Sequence, residues 1–263
     1  MSEAVVAVDP RMKARRVAVL RAHGRRRLHI LIALAAVALV AGLGFGISRT
    51  SLMDVDRISV GGGGARAAEI LESTGFSTGM PMLSLDLGAA ERSVASLPWV
   101  RSARVWRDWP GTVRITVEPR VPVAEVPAAG DRTVLIDAHG YAVDWASEVA
   151  EPGGLARVAV PFSGRLGDIH TAADGPLAVV AAMPDDLRAW VSAITLDPDS
   201  GQLGLLLVGG ATVVLGEQNL LEDKISAVRA VLAGTDLDCI TKIDVIMPDL
   251  ATVTRHQPCR PRG

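Results

Sequence analysis

The chain has 263 residues, with 27 Lys+Arg against 29 Asp+Glu and a formal net charge of −2. That balance excludes a globally basic nucleic-acid binder. With 49% hydrophobic and 21% charged residues, the chain is not disordered by composition. Its two cysteines exclude a disulfide-dense mini-scaffold and an all-Cys zinc site.

The average charge hides an asymmetry. Residues 1–27 hold eight basic side chains against two acids, Glu3 and Asp9, so the remaining chain is distinctly acidic. This leader has no aromatics and reads as a disordered tail that fixes topology or else meets anionic lipid or nucleic acid. Residues 28–47, LHILIALAAVALVAGLGFGI, then run 20 residues without a formal charge. As a helix they would cover about 30 Å, the thickness of the hydrocarbon core. The run is longer than a secretory h-region and lacks an A-x-A-like site, so it reads as an uncleaved anchor. The positive-inside rule places residues 1–27 in the cytoplasm and residues 48–263 outside. Ala38, Gly42 and Gly46 put small residues on one helical face. They read either as a helix-pairing face or as the ordinary glycine content of a membrane helix.

Residues 52–60 read as a short strand, and Gly61–Gly64 break it. A glycine run can cradle phosphate, but no Lys-Ser/Thr follows, so a loop is the better reading. Residues 65–74 carry Ala67, Ile70, Leu71 and Thr74 on one helical face, with Gly75 as C-cap. Asp86 suits the N-cap of a second helix over 87–96, which Pro98 stops. Residues 100–106 and 112–117 are strand-like runs joined by the turn signal Arg107-Asp108-Trp109-Pro110-Gly111. Trp99 and Trp106 read as sheet cover or as an exposed protein-binding patch.

The order strand, helix, helix, strand, strand resembles a POTRA domain of the FtsQ/DivIB type. The stretch LPWVRSARVWRDWPGTVRITVEPRVPVA carries the likeness through Leu97-Pro98, Val100, Val105, Arg107, Trp109-Pro110, Glu118, Pro122 and Ala124. The resemblance divides the chain into a cytoplasmic tail 1–27, a transmembrane helix 28–47, a POTRA-like domain 52–120, a β domain 121–250 and a flexible tail 251–263. The implied fold class is α+β: a β-α-α-β-β unit followed by a mixed α/β domain with an open antiparallel sheet.

The second half extends the pattern. Strands are predicted at 121–126, 133–136, 141–145 and 158–160, and a helix within 172–182 with Pro176 in its first turn. Strands follow at 191–196, 203–208 and 212–215, the last pair joined by Gly209-Gly210. Asp197-Pro-Asp-Ser-Gly201 resembles half a calcium loop, yet Val208 stands at the twelfth position, so it reads as a hairpin turn. An amphipathic helix is predicted at 220–233 and a last strand at 242–247. Leu215-Gly216, Lys224 and Ile243-Asp244-Val245 match the family's C-terminal pattern.

Cys239 and Cys259 flank that last predicted strand. Outside a membrane they can pair, closing a loop that contributes about 3 kcal/mol, or remain thiols. The five histidines show no metal-ligand spacing, and no G-x-S-x-G or H-E-x-x-H occurs. The chain reads as a non-enzyme without cofactor, metal or nucleic acid. Two rivals stay open: a POTRA-type export or assembly adaptor, and an unrecognised cell-wall enzyme.

The resemblance implies a divisome scaffold in the bacterial cell membrane, at the septum, serving septal peptidoglycan synthesis. It implies FtsB/DivIC-like and FtsL-like partners, with other division proteins meeting the POTRA-like part. In the family a partner strand docks on the last strand and the nearby helix. The corresponding positions here are Ile246, Met247, Pro248, Asp249 and Leu250, with Glu217 and Lys224 beside them. Family members can carry an aromatic and an Arg at such contacts, where this chain has Met247 and Glu217.

Overall fold

A computed structural model describes residues 29–42, 53–148, 154–234 and 239–255. Helix α1 occupies residues 29–42. The predicted anchor is longer, but its residues 28 and 43–47 lie outside the described residues, as do the leader and Gly46. Among the described residues no helix is long and apolar enough to cross a membrane.

The first folded segment is β1 (Arg57–Gly61), α2 (Ala67–Thr74), α3 (Leu87–Ala95), β2 (Val100–Asp108) and β3 (Thr112–Pro119), with sheet order β1-β3-β2. This is the expected β-α-α-β-β sequence. Strand β3 alternates strictly, burying Val113, Ile115 and Val117 while Arg114, Thr116 and Glu118 face out, the signature of a sheet covered on one face. Helices α2 and α3 pack on each other and bury Ile70, Ala90 and Val94. Gly75 closes α2 in the left-handed conformation at φ 66°, as its C-cap role requires.

The glycine run that ends β1 has a steric reason at Gly62. Gly62 sits at φ 80°, where a Cβ would lie 1.9 Å from the Val117 carbonyl oxygen. Only glycine allows that approach, so the run is a tight crossing rather than an anion cradle.

The chain's contacts gather into two compact units. The smaller contains residues 29–42, 53–59, 76–86 and 106–114 of the described chain. In it, Arg107 acts as a clamp: Nε donates to the Met82 carbonyl at 2.8 Å and Nη2 to that of Leu85 at 2.7 Å. These carbonyls bound a short 3-10 turn, Met82–Ser84, that buries Met82 completely. The arginine of the Arg-x-Trp-Pro motif is thus structural.

The larger unit contains 60–75, 87–105 and everything from Ile115 onward. It includes a four-stranded sheet, order β6-β5-β4-β7, built from β4 (Pro122–Ala128), β5 (Arg132–Asp137), β6 (Ala142–Trp145) and β7 (Ala156–Arg157). A second sheet, order β12-β11-β10-β9-β8, is built from β8 (Val191–Leu196), β9 (Leu203–Leu207), β10 (Thr212–Gly216), β11 (Ile240–Asp244) and β12 (Thr252–Arg255). A parallel bridge between Val158 and Ile194 joins them, with the Ala159 N–H donating to Ile194 O at 2.8 Å. Helices α4 (Asp174–Ala182), α5 (Asp185–Arg188) and α6 (Leu221–Ala233) complete the domain. One continuous core runs from Ala124 and Ile136 through Leu177 and Leu187 to Leu215, Val228 and Ile243.

Two arginine clusters lie within this unit. The Arg66 guanidinium pairs with Asp144 and lies 5.3 Å from the Trp99 ring, whose Nε1–H donates to Glu69 at 3.1 Å. Arg120 pairs with the buried Asp137 at 2.8 Å and stacks 3.7 Å over Tyr141. Asp137 also accepts the N–H groups of His139 and Tyr141, so its carboxylate is well compensated.

The two readings of Trp99 and Trp106 divide: Trp99 is core at 6% exposure, whereas Trp106, like Trp109, is exposed, at 37% and 50%. Two expectations about the C-terminal segment are corrected. The predicted last strand, 242–247, is shifted to Ile240–Asp244 and is not last. Part of the predicted flexible tail, Thr252–Arg255, is a strand paired to it. The four residues Thr-Val-Thr-Arg are too short a run to distinguish from a loop.

Replacing Arg107 with Ala is expected to lower unfolding free energy by about 2 kcal/mol, since two charge-assisted hydrogen bonds disappear. The shift in a urea-unfolding midpoint measures it, and Arg107→Lys should restore only part because the fork geometry is lost.

Candidate partner-binding edge

The C-terminal half of the second sheet is assembled in steps. Gly209 and Gly210, at φ 99° and 91°, close the β9–β10 hairpin, because consecutive left-handed residues match the strand twist. Helix α6 then carries the chain over, and β11 pairs parallel to β10 through Thr212–Lys242, Val213–Ile243 and Val214–Asp244. The Asp244 carboxylate accepts the Ile246 N–H at 3.2 Å as the strand ends. A 3-10 turn, Pro248–Leu250, with Pro at its start reverses the chain. Strand β12 returns antiparallel, pairing Lys242–Thr254, Ile243–Val253 and Asp244–Thr252.

Among the described residues, β12 has no strand on its outer side. The opposite end of the domain is different. Outside β6, the Ala142 N–H donates to Asp168 O at 2.9 Å and the Gly167 N–H to Ala142 O at 2.7 Å, so a loop covers that edge. On β12, Val253 packs against the core while Thr252, Thr254 and Arg255 are exposed.

Beside this edge lie large exposed apolar side chains: Ile246, Met247 and Leu250 on the β11–β12 connector and Leu220 before α6. The connector's 3-10 turn packs against α6. Gly216, at φ 73°, keeps the end of β10 close to Ile246, where a Cβ would approach Ile246 Cγ1 to 3.1 Å.

Of the residues singled out from sequence, Ile246, Met247, Asp249, Leu250 and Glu217 are exposed around this end of the sheet, and Pro248 is half-buried. Lys224 is not on the surface. It is 1% exposed, and its Nζ donates to the Glu217 carbonyl at 2.9 Å and to Asn219 Oδ1 at 2.6 Å. Burial pulls its pKa below the ordinary 10.5, partly opposed by the Glu217 charge. Lys224 therefore shapes the 217–220 loop and cannot touch a partner directly. That loop holds Leu220 at φ 50°, a left-handed non-glycine residue, and projects its side chain into solvent. Leu220 and β12 are the features sequence reasoning missed. Only the apolar Leu220-Leu221 pair, one half-buried and one exposed, hinted at the former.

The remaining candidates separate clearly. Ala38 and Gly42 lie on α1, and nothing stands within 4 Å of where a Gly42 Cβ would be. Cys239 is buried and disulfide-bonded, while Cys259 lies outside the described residues. The Asp197 carboxylate accepts the N–H groups of Ser200 and Asp199, which lower its pKa, as in a closed turn. No group of metal-ligating side chains assembles among the described residues.

Comparison with known proteins adds identity to this geometry. Residues 61–120 match the family model of the POTRA domain, FtsQ-type. The cell division protein FtsQ of Mycobacteroides abscessus is 34% identical over 234 residues, 89% of this chain and 71% of that protein. FtsQ of Mycolicibacterium smegmatis is 32% identical, covering 87% and 66%. FtsQ of Mycobacterium tuberculosis H37Rv is 30% identical, covering 87% and 69%. The chain thus spans roughly two thirds of the length of these relatives.

Substituting Lys224 with Met leaves the Glu217 carbonyl and Asn219 Oδ1 without their donor, and about 1–3 kcal/mol of stability is expected to go with it at neutral pH. Because folding depresses the wild-type pKa, the unfolded chain binds more protons below 10.5. Wild-type stability should therefore gain on that of Lys224→Met as pH rises towards that value. Urea unfolding of both proteins at neutral and alkaline pH measures the gap.

Proposed function

The chain belongs to the FtsQ family of cell division proteins, and from that premise we propose that it is a membrane-anchored scaffold of the division machinery that captures partners by strand addition to β12. The observation that carries this reading is the edge itself. Strand β12 lacks an outer neighbour among the described residues and adjoins exposed Ile246, Met247, Leu250 and Leu220. Backbone N–H and C=O groups on such an edge are satisfied by an incoming strand, and flanking apolar side chains add specificity. The partners are FtsB/DivIC-like and FtsL-like proteins, met outside the membrane at the septum, where septal peptidoglycan is made. The POTRA segment offers a second contact to other division proteins. The scaffold performs no chemistry of its own.

Membrane attachment rests on the uncharged run 28–47 and the basic leader before it. The helix-pairing role of Ala38, Gly42 and Gly46 belongs to the same reading. Glu217 stands where an Arg can serve relatives, so a basic partner residue suits this position.

Cys259 is the chain's other cysteine, and a Cys239–Cys259 bridge would clip β12 onto the start of β11 and reduce fraying of the docking strand. Intact-mass analysis with alkylation should then find both thiols blocked only after reduction; alkylation of the unreduced protein contradicts the bridge.

Thr254→Pro is expected to weaken capture of an FtsB-like partner by about tenfold or more, because proline removes the donor that Thr254 gives to the β11 ladder and so unseats the docking strand. Co-purification from membranes measures this, with circular dichroism checking the fold. Unchanged capture would refute strand addition at β12.

A further inference from the structure

The smaller compact unit carries an apolar surface that partner capture at β12 does not use. Leu83 is 57% exposed, Trp109 50% and Met80 36%, and Pro81 and Pro110 beside them are exposed too. These residues come from two separate segments, the loop 76–86 and the β2–β3 turn. Both are fastened to the same short piece of chain. The Val55 N–H donates to Met80 O at 2.8 Å, the Gly79 N–H to Val55 O at 2.8 Å, and Asp54 bridges Pro81. The Asp56 and Arg57 N–H groups both donate to Gly111 O, at 2.7 and 3.1 Å.

That piece of chain is where the polypeptide enters its folded part. Seven residue steps separate Ile47, the end of the apolar run, from Asp54. Fully extended, they reach at most about 25 Å. Residues pinned to Asp54 are therefore tethered within about 25 Å of the point at which the anchor leaves the hydrocarbon.

We propose that the loop bearing Met80 and Leu83 and the turn bearing Trp109 and Pro110 form a membrane-interface contact, seated on the outer face of the bilayer. The inference rests on the anchor reading of residues 28–47. The chemistry fits a bilayer interface better than a protein groove. Tryptophan prefers the headgroup level, where its ring is apolar and its N–H stays wet. The 76–85 segment, FSTGMPMLSL, contains no charged residue. The charges nearby are mixed: Asp56, Arg57, Asp86 and an Arg114–Asp108 pair at 2.6 Å. The contact is accordingly apolar and should depend little on anionic lipid, unlike a polybasic docking site. Its consequence is orientational, since a unit touching the bilayer at two segments cannot pivot freely about its tether.

Tryptophan emission tests this, because none of the five tryptophans lies in residues 28–47. The full chain is reconstituted in phosphatidylcholine vesicles containing lipids brominated near the glycerol end of the acyl chains. Quenching relative to unbrominated vesicles is expected, and Trp109→Phe should remove about half of it or more, whereas Trp190→Phe, also an exposed tryptophan, should not. Leu83→Cys carrying an environment-sensitive dye gives an independent reading, with emission shifted to the blue in vesicles and quenched by the same lipids. Circular dichroism confirms that each variant is folded. Retention of the chain in alkaline carbonate with no quenching of Trp109 or the Leu83 label would overturn the contact while leaving the anchor intact. Release of the chain by carbonate would overturn the anchor, and the contact with it.

Discussion

The parallel pairing of β10 with β11 is the constraint on which the candidate edge depends. Without it, β8, β9 and β10 form a closed meander, and the C-terminal segment has nothing to join. A parallel pair needs a long crossover, and α6 supplies it, burying Ile225 and Val228 against the core as it does so. Once β11 is seated between β10 and β12, its backbone groups are paired on both sides. The unmet hydrogen-bonding demand of the sheet then moves outward to a four-residue strand at the surface. The opposite end of the domain is closed by the loop at Gly167–Asp168, so the asymmetry between the two ends is built into the fold.

Charged side chains serve this architecture chiefly as internal fasteners. Arg107 secures a turn, Arg120 bridges to Asp137 and Tyr141, and Arg66 joins Asp144 and Trp99. Lys224 is the most deeply buried of them and holds a loop through a carbonyl and an amide oxygen. Each of these cations finds its acceptors in the fold, which is how a buried charge becomes tolerable. The apolar surfaces left exposed, around β12 and around Trp109, are by contrast bordered by charges of both signs rather than by a cluster of one sign. That distribution suits a protein whose work is contact.

Much of the fold was legible in the sequence because its signals are local and strong. The period-two alternation of β3, the Gly75 cap and the Gly209-Gly210 turn each specify backbone geometry with little tertiary input. The Arg-x-Trp-Pro stretch pointed to the right family, although the reason for its arginine, two carbonyls some 25 residues away in sequence, could not be read. The candidate site was less legible. Ile246–Leu250 and Glu217 do lie near the edge, but Lys224 looked like a surface cation because a lysine on an amphipathic helix usually is one. Its burial follows from the left-handed turn at Leu220, which no propensity predicts for leucine. Strand β12 was hidden for a related reason: its Thr-Val-Thr-Arg run becomes a strand only because β11 offers it a partner.

The most direct measurement of the central claim is amide hydrogen exchange across 240–255 in the full chain, alone and bound to an FtsB-like partner. Strand addition predicts that the amide of Val253, which faces away from β11, gains protection on binding, while those of β11, already paired on both sides, change little. Protection confined to other surfaces, with 252–255 exchanging as freely in the complex as alone, would contradict the account.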